Sequence, residues 1–258
     1  MLKILHAGDV VGSPGRTVFA RVVTRMRDAG QVDLVVVNAE NAAGGRGLTP
    51  SLAEELLAAG ADAITLGDHT WDQKELAPYL PQEPRIVRPG NFAPACPGKG
   101  ITTVKSPKGP VTVISVIGRV FMQPNDCPFR TADRLVSEAG PGRIILVEIH
   151  AEATSEKIAM GRFLDGRVTS VVGTHTHVQT SDETLLPRGT AYITDLGMTG
   201  PRDSVLGRDV EAVVKRFTDG MPGRFGVATE NVALEGVLLH IDESSGRAIK
   251  IQRVREAG

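Results

Sequence analysis

Short apolar runs alternate with amphipathic stretches along most of this chain, and each run ends in a polar residue of a few recurring kinds. This alternation is typical of βαβ units, in which helices cover a largely parallel sheet. Ligands bind beyond the carboxyl ends of the strands in such folds, so residues distant in sequence are expected to meet at one edge. The endings are Asp9, Glu40 with Asn41, Asp68 with His69, Gly118 with Arg119, His150, His175 with His177, and Asp195.

The same periodicity predicts the order of the elements within one α/β domain over residues 1–258. Strands are expected at 3–7, 33–37, 63–66, 111–117, 144–149 and 171–172, then in hairpin-like order at 190–194, 224–228, 231–242 and 248–254. Helices are expected at 15–29, 50–59, 73–79, 131–139, 155–164 and 210–217. Between Pro81 and Pro110, proline and glycine crowd together without a helical period, which predicts an excursion from the sheet.

The charge and the cysteines exclude several classes of function. A net charge of −1 argues against an extended nucleic-acid surface or an anionic membrane partner, although one pocket can still bind a small nucleotide. Cys96 and Cys127 form no CxxC pair, so neither a thiolate metal site nor a disulfide framework is indicated. Because no run approaches the roughly 18 apolar residues of a membrane helix and no signal sequence is evident, we expect a cytoplasmic location.

Three histidines give the strongest indication of a metal site. His175 and His177 flank one threonine after an apolar strand, so both imidazoles are expected on the same side of an extended segment. They can bind one ion together or one each of two neighbouring ions, and a pair of hydrogen-bonded loop histidines is the alternative. His150 ends a strand of its own, which favours metal binding.

Three oxygen ligands follow other strands. Asp9 lies in a glycine-rich stretch without the Gly-Lys-Ser/Thr ending of a P-loop, which argues against a nucleoside triphosphatase. As an isolated residue after a strand, Asp9 is more typical of a turn or a helix cap than of a metal ligand. Glu40 directly follows a very apolar strand, where a carboxylate is tolerated when it is paired or metal-bound. Glu40 can bridge two ions, and Asn41 can supply a neutral oxygen.

Asp68 and His69 suggest different roles for adjacent residues. Asp68 suits a metal ion, whereas His69 points elsewhere and can donate a proton to a leaving alkoxide. The single tryptophan, Trp71, is expected to pack beneath this loop. His6, which lies inside the first strand, is expected to be a core histidine.

Five sequence blocks taken together resemble, in order, the YmdB-like bacterial phosphodiesterases, a branch of the calcineurin-like metallophosphoesterases. The resemblance extends along nearly the whole chain. It implies a four-layer α/β/β/α sandwich with mixed sheets that hydrolyses small phosphodiesters such as 2′,3′-cyclic nucleotides. The blocks cover residues 8–12, 38–43, 67–72, 150–157 and 173–178.

The resemblance also implies a role for each site residue. It assigns one ion to Asp9, Glu40, Asn41 and His177, and a second ion to Glu40, Asp68, His150 and His175, with His69 as the proton donor. The cofactors implied are two divalent or trivalent transition-metal ions, iron or manganese foremost, although these ligands also suit zinc. A homo-oligomer is implied as well.

One position departs from the family. This chain has Asp68 where the family usually has asparagine, and an ionised Asp68 would cancel the roughly one positive charge left on two ions, a hydroxide, Asp9 and Glu40. It would also remove an amide donor to the phosphoryl oxygens, a contact worth about 3 kcal/mol. The primary hypothesis is therefore a metal-dependent phosphodiesterase, and the alternative is a metal-binding regulatory or interaction protein with weak or no turnover.

Overall fold

The computed structural model describes residues 1–140 and 144–257, and fourteen strands and six helices lie in these ranges. The strands are β1 (Leu2–Ala7), β2 (Asp9–Val10), β3 (Leu34–Asn38), β4 (Ala63–Thr65), β5 (Ile86–Val87), β6 (Ile101–Ser106), β7 (Gly109–Ile117), β8 (Ile144–His150), β9 (Ser170–Thr174), β10 (Thr184–Leu185), β11 (Ala191–Ile193), β12 (Met198–Pro201), β13 (Val232–Asp242) and β14 (Arg247–Ala257). The helices are α1 (Gly12–Asp28), α2 (Pro50–Ala58), α3 (Leu76–Tyr79), α4 (Pro128–Ala139), α5 (Thr154–Leu164) and α6 (Val210–Asp219).

The strands form two mixed sheets. The first sheet has the order β2-β12-β13-β1-β3-β4-β5, with β14 also paired to β13. Its strands β1, β3, β4 and β5 are parallel, whereas β13 runs antiparallel to β1. The second sheet has the order β10-β11-β9-β8-β7-β6, in which β7, β8, β9 and β11 are parallel. The parallel strands of each sheet therefore end at one edge.

Alternate residues of each central strand enter different hydrophobic clusters, because successive side chains of a strand point to opposite faces. On β3, Val35 and Val37 pack with α1 and α2, whereas Leu34 and Val36 belong to the cluster between the two sheets. On β8, Ile145, Val147 and Ile149 pack with α4 and α5, whereas Ile144 and Leu146 face the first sheet. Helices thus cover both outer faces, which is the predicted four-layer α/β/β/α sandwich.

Helix α2 begins at the residue that the local sequence predicts. The Thr49 hydroxyl accepts a hydrogen bond from the Leu52 backbone N–H at 3.3 Å, and Pro50 occupies the first turn. Proline is favoured there because the first amide groups of a helix have no intrahelical partner. Within the described ranges, the helices are too short or too polar to span a bilayer.

The prediction for residues 81–110 was wrong, since this segment adds strands to both sheets. Ile86 and Val87 form β5, which pairs in parallel with β4, and β6 pairs with β7 through a turn at Pro107 and Lys108. A two-residue strand is too short to show a period. The exposed face of β6 is occupied by Thr103 and Lys105, so its alternation includes few apolar residues.

Four further predictions need correction. Residues 224–228 form no strand, and Val227 makes only an isolated bridge to Arg208. The hairpin expected near the carboxyl end is confirmed as β13–β14, but β11 pairs in parallel with β9. The helix predicted at 73–79 is the single turn α3, and the helix predicted from residue 15 begins at Gly12.

Candidate metal centre

The predicted ligands converge at the carboxyl ends of strands from both sheets. Glu40 and Asp68 follow β3 and β4 of the first sheet, while His150 ends β8 and His175 follows β9 of the second. Each of these four residues offers one ligand atom, and the four atoms lie within 4.8 Å of one another. Folding therefore brings together side chains that are more than 100 residues apart in the sequence.

His150 lies at the centre of this first group. Its Nε2 atom is 2.9 Å from Asp68 Oδ1, 3.2 Å from Glu40 Oε1 and 3.0 Å from His175 Nδ1. Metal–ligand bonds of about 2.0–2.2 Å place neighbouring donor atoms roughly 3 Å apart, so this spacing is suited to one ion. Gly67 permits the approach, because a Cβ atom there would collide with Glu40 and His150.

Asp9, Asn41 and His177 form a second group on the other side of Glu40. The Asn41 amide Nδ2 lies 3.1 Å from Glu40 Oε1 and 3.2 Å from His177 Nε2, which is 3.8 Å from Asp9 Oδ1. Rotation of the Asn41 amide by 180° would present its oxygen in place of its nitrogen. All seven predicted ligands thus form one cluster in which Glu40 contacts both groups.

The backbone that carries His175 and His177 into the site differs from the predicted extended segment. Strand β9 ends at Thr174, and His175 and His177 have φ angles of 95° and 62°. The segment is therefore not extended. Positive φ is uncommon for residues with a side chain, and its occurrence at two such positions indicates strain held by the surrounding structure.

The electrostatics of the site favour a cation. Burial raises the pKa of Asp9 well above its ordinary value, and the negative charges of Glu40 and Asp195 raise it further, against the opposing effect of His150. Burial lowers the pKa of His150, but Glu40, Asp68 and Asp9 outweigh it and raise that pKa well above the usual range. The negative potential that holds a proton on His150 would equally attract a metal ion.

Asp68 remains ionised in this environment. Burial would raise the pKa of Asp68, but hydrogen bonds from His150 and His175 outweigh that effect and lower it far below its ordinary value. Burial lowers the pKa of His177, which favours the neutral imidazole needed for a metal ligand.

Asp9 supplies the test of whether these residues suit a metal ion. Its side chain is fully buried, and its Oδ1 atom has no hydrogen-bond partner within the described ranges. A buried carboxylate oxygen without a partner is costly unless a cation binds it. Carboxylate, amide and imidazole donors at this spacing fit a transition-metal ion.

His69 lies beside the cluster, with its ring between Asp68 and Asp72. Its backbone N–H donates to Glu40 Oε2 at 3.0 Å, and its ring Nδ1 lies 3.0 Å from Asp72 Oδ2. The other ring nitrogen, Nε2, is 4.0 Å from Asp68 Oδ2. Asp72 precedes α3, which begins at Leu76, and orients the His69 ring through its contact with Nδ1.

A buried network behind His150 was not anticipated from the sequence. The Glu148 carboxylate is fully buried and accepts hydrogen bonds from both sheets. Its partners are Asn38 Nδ2 at 2.7 Å, Thr65 Oγ1 at 2.6 Å, His6 Nε2 at 3.0 Å and Thr174 Oγ1 at 3.2 Å. His6 is the core histidine that the sequence predicts, with Glu148 as its partner.

Strand parity could have identified this network. Ile4, Val36, Ala63, Leu146 and Val172 all face the space between the sheets. The residue two positions further along each strand points the same way, and in each case it is polar. These residues are His6, Asn38, Thr65, Glu148 and Thr174.

A buried ion pair supports the loop that carries His175 and His177. Lys157 on α5 forms a fully buried ion pair with Asp195, with 2.7 Å between Nζ and Oδ2. The same Asp195 oxygen accepts hydrogen bonds from the Thr176 hydroxyl at 2.7 Å and from the Thr176 N–H at 3.2 Å. The strained segment is therefore anchored at its central residue.

Two mixed sheets between helical layers, with acidic, amide and histidine side chains at the strand ends, define a metallophosphoesterase-type fold. A putative 5′-nucleotidase from Staphylococcus aureus has this fold, with a TM-score of 0.64 at 14% identity over 99% of this chain and 55% of that one. The predicted fold class is thereby confirmed.

Closer relatives establish the family. The family model described as YmdB-like protein matches residues 5–254, and the chain belongs to that family. It is 49% identical over 254 residues to the 2′,3′-cyclic-nucleotide 2′-phosphodiesterase of Bacillus subtilis (strain 168), covering 98% of this chain and 96% of that protein. A hypothetical protein from Thermus thermophilus superposes with a TM-score of 0.93 at 41% identity over 99% of both chains. At the level of the family, the predicted class of phosphodiesterase enzymes is confirmed.

Proposed function

We propose that this protein hydrolyses small phosphodiesters, 2′,3′-cyclic nucleotides among them, at a centre of two metal ions. The observation that carries the proposal is the position of Glu40, whose Oε1 atom lies 3.2 Å from His150 Nε2 and 3.1 Å from Asn41 Nδ2. A single carboxylate is thus shared between two groups of ligands, as a bridging residue requires. The B. subtilis relative, named for this activity, supports the choice of substrate.

The proposed ligand sets follow the two groups. Asp9, Glu40, Asn41 and His177 would hold one ion, and Glu40, Asp68, His150 and His175 would hold the other. When bound, such ions lower the pKa of water and stabilise charge on a phosphoryl group.

The protein residues supply orientation and a proton. Because Thr174 donates its single hydroxyl hydrogen to Glu148, it accepts from His150 Nδ1, which lies 3.0 Å away. The neutral imidazole would then offer its unprotonated Nε2 to an ion that displaces the additional proton. Likewise, Glu152 lies 3.2 Å from His175 Nε2 and leaves Nδ1 for the ion. The Asp72 carboxylate accepts a hydrogen bond from the His69 Nδ1–H, so a proton on His69 Nε2 is available to the departing ribose oxygen.

The direct test compares His69→Ala with the matched control His240→Ala, in which the substituted histidine lies on β13 away from the cluster. With Mn²⁺ added, the protein should open 2′,3′-cyclic nucleotides. His69→Ala should lower kcat about 10²- to 10⁴-fold, the usual contribution of a general acid, with unchanged metal content. An inert wild-type protein across several metals would overturn the proposal, as would a His69→Ala variant with full activity.

Asp68 favours a second candidate function, a metal-binding regulatory or interaction protein with weak turnover. Its carboxylate is ionised and lies inside the ligand cluster, so it reduces the positive charge available to a phosphate. Asp68→Asn separates the two candidates, because the amide restores both a positive charge and an N–H donor. A rise in kcat/KM of about 100-fold would support the second candidate, and an unchanged or lower value would exclude it.

The nature of the ions and the assembly of the protein belong to the same proposal. We expect two ions per chain, iron or manganese with zinc as the alternative, which elemental analysis of the purified protein would count. We also expect residues 1–258 to unfold as one cooperative domain and the protein to sediment as a homo-oligomer. The cytoplasmic location stays a prediction.

A further inference from the structure

A cavity of about 600 Å³ opens beside the candidate metal centre. Asp68, a predicted ligand, forms part of its wall, as does Ile117 at the end of β7. The volume lies within the range of roughly 300–1,000 Å³ typical of small-molecule sites. Another cavity of about 630 Å³, bounded by residues 165–167, 185–189 and Arg247, includes none of the predicted ligands.

The wall of this cavity contains an aromatic pair. The rings of Trp71 and Phe92 lie 5.7 Å apart, centroid to centroid, with 40° between their planes. Trp71 packs against the hydrophobic cluster that includes residues of α1 and α2, but both side chains remain partly exposed at the cavity. Exposed aromatic faces suit the stacking of a planar group.

The cavity is unsuited to a phosphate. Asp68 and Asp126 line it, and among its described lining residues there is no lysine or arginine. A phosphate placed here would meet negative charge without a compensating cation. The cavity therefore suits the uncharged, planar part of a ligand whose phosphate lies at the metal centre.

The wall that carries Phe92 is held in place before any ligand arrives. Asn91 is buried, and its amide donates to the Ile117 carbonyl at 2.8 Å and to the Asp126 carbonyl at 2.9 Å. Its side-chain oxygen accepts from the Ile117 N–H at 2.8 Å. A preformed wall lowers the entropy cost of binding.

We propose that this cavity is a nucleobase-binding subsite in which the base of a nucleoside cyclic phosphate packs against the rings of Trp71 and Phe92 while its phosphate lies at the candidate metal centre. The inference deepens the proposed function and rests on it for the position of the phosphate. It implies that the protein distinguishes nucleotides from other phosphodiesters by the base.

The first experiment needs no variant. KM is measured for a nucleoside 2′,3′-cyclic phosphate and for 1-O-methylribose 2,3-cyclic phosphate, which lacks the base, with Mn²⁺ present. Stacking should make KM for the nucleotide roughly 5- to 100-fold lower. Phe92→Ala should move the ratio of the two KM values towards one. Phe217→Ala, a matched change at a side chain 85% exposed on α6, should leave the ratio as in the wild type. Equal KM values for the two substrates in the wild type would overturn the inference.

The second experiment uses binding alone. Trp71 is the only tryptophan of the chain, so its fluorescence reports on the cavity. Titration with a nucleoside 3′-monophosphate should quench it saturably, whereas inorganic phosphate and ribose 5-phosphate should not. No quenching by the nucleotide, or equal quenching by all three, would overturn the subsite. If neither cyclic phosphate is hydrolysed, the proposed function fails, and this titration still decides whether the base binds.

Discussion

Removal of the Glu148 carboxylate is expected to weaken metal binding from a position that is not itself a ligand. The Glu148 carboxylate accepts a hydrogen bond from the Thr174 hydroxyl, so the Thr174 oxygen can only accept a hydrogen bond from His150 Nδ1. In Glu148→Ala the hydroxyl is free to donate to His150 Nδ1, and the imidazole proton then moves to Nε2, where it faces the proposed ion. Loss of such supporting contacts typically costs 10- to 100-fold in metal affinity.

Glu148→Gln separates this effect from a general loss of structure. The glutamine oxygen can replace Oε1 and accept from Asn38 and Thr174, while its amide faces His6 and Thr65. His6 can accept by changing its tautomer, because its Nδ1 atom has no partner within the described ranges, and Thr65 can accept through its hydroxyl. Metal affinity should therefore remain close to that of the wild type.

The stability of the two variants should differ as well. In Glu148→Gln, the hydrogen bonds from Asn38 and Thr174 end on a neutral oxygen instead of a charged one, and each becomes weaker by about 1 kcal/mol. The free energy of unfolding should therefore fall by about 2 kcal/mol. Alanine also leaves the Asn38 amide unpaired and opens a cavity, so its loss should be about 3–5 kcal/mol.

Two measurements check this reasoning, namely titration with Mn²⁺ against a competing chelator and unfolding in urea. Glu138→Ala is the matched control, because the Glu138 side chain is 57% exposed on α4. Wild-type metal affinity in folded Glu148→Ala, or equal losses in the alanine and glutamine variants, would refute the tautomer argument.

The acid stability of the wild type depends on the same carboxylate. Burial would raise the pKa of Glu148, but hydrogen bonds from His6, Thr65 and Asn38 outweigh burial and lower the pKa below the ordinary value of 4.5. The stabilisation is therefore fully present above about pH 4.5 and is lost as the pH falls towards the folded-state value. Two other perturbations give further predictions. Lys157→Met leaves Asp195 as an unpaired buried charge and should lower the free energy of unfolding in urea by about 3–5 kcal/mol. The control Lys215→Met, at an exposed ion pair, should have no measurable effect. Similar values for the two variants would show that the buried pair contributes little. An ion present at 100 times its Kd stabilises the folded protein by about 2.7 kcal/mol, so removal of metal with a chelator should lower the Tm measured by calorimetry. An unchanged Tm would contradict binding to the folded state.

The agreement between sequence and structure is best where a residue directly follows an apolar strand. Asp9, Glu40, Asp68 and His150 were identifiable because parallel strands deliver their carboxyl ends to one edge. Segment 175–177 reached the predicted place by a different backbone path, because positive φ at histidine depends on anchoring by Asp195, which is distant in sequence. Strands β5 and β6 were missed because their partners, and not their own pattern, define them.

The sequence by itself determined the order of most elements, through periodicity, and the family, through five sequence blocks, and it predicted which residues at the strand ends would be ligands. Only the tertiary structure decided that Glu148 lies between the two sheets, that Lys157 pairs with Asp195, and that Trp71 and Phe92 share one cavity wall. Each of these contacts joins residues whose separation in the chain carries no local signal. Their chemistry follows from burial and distance, which exist only once the two sheets have packed together.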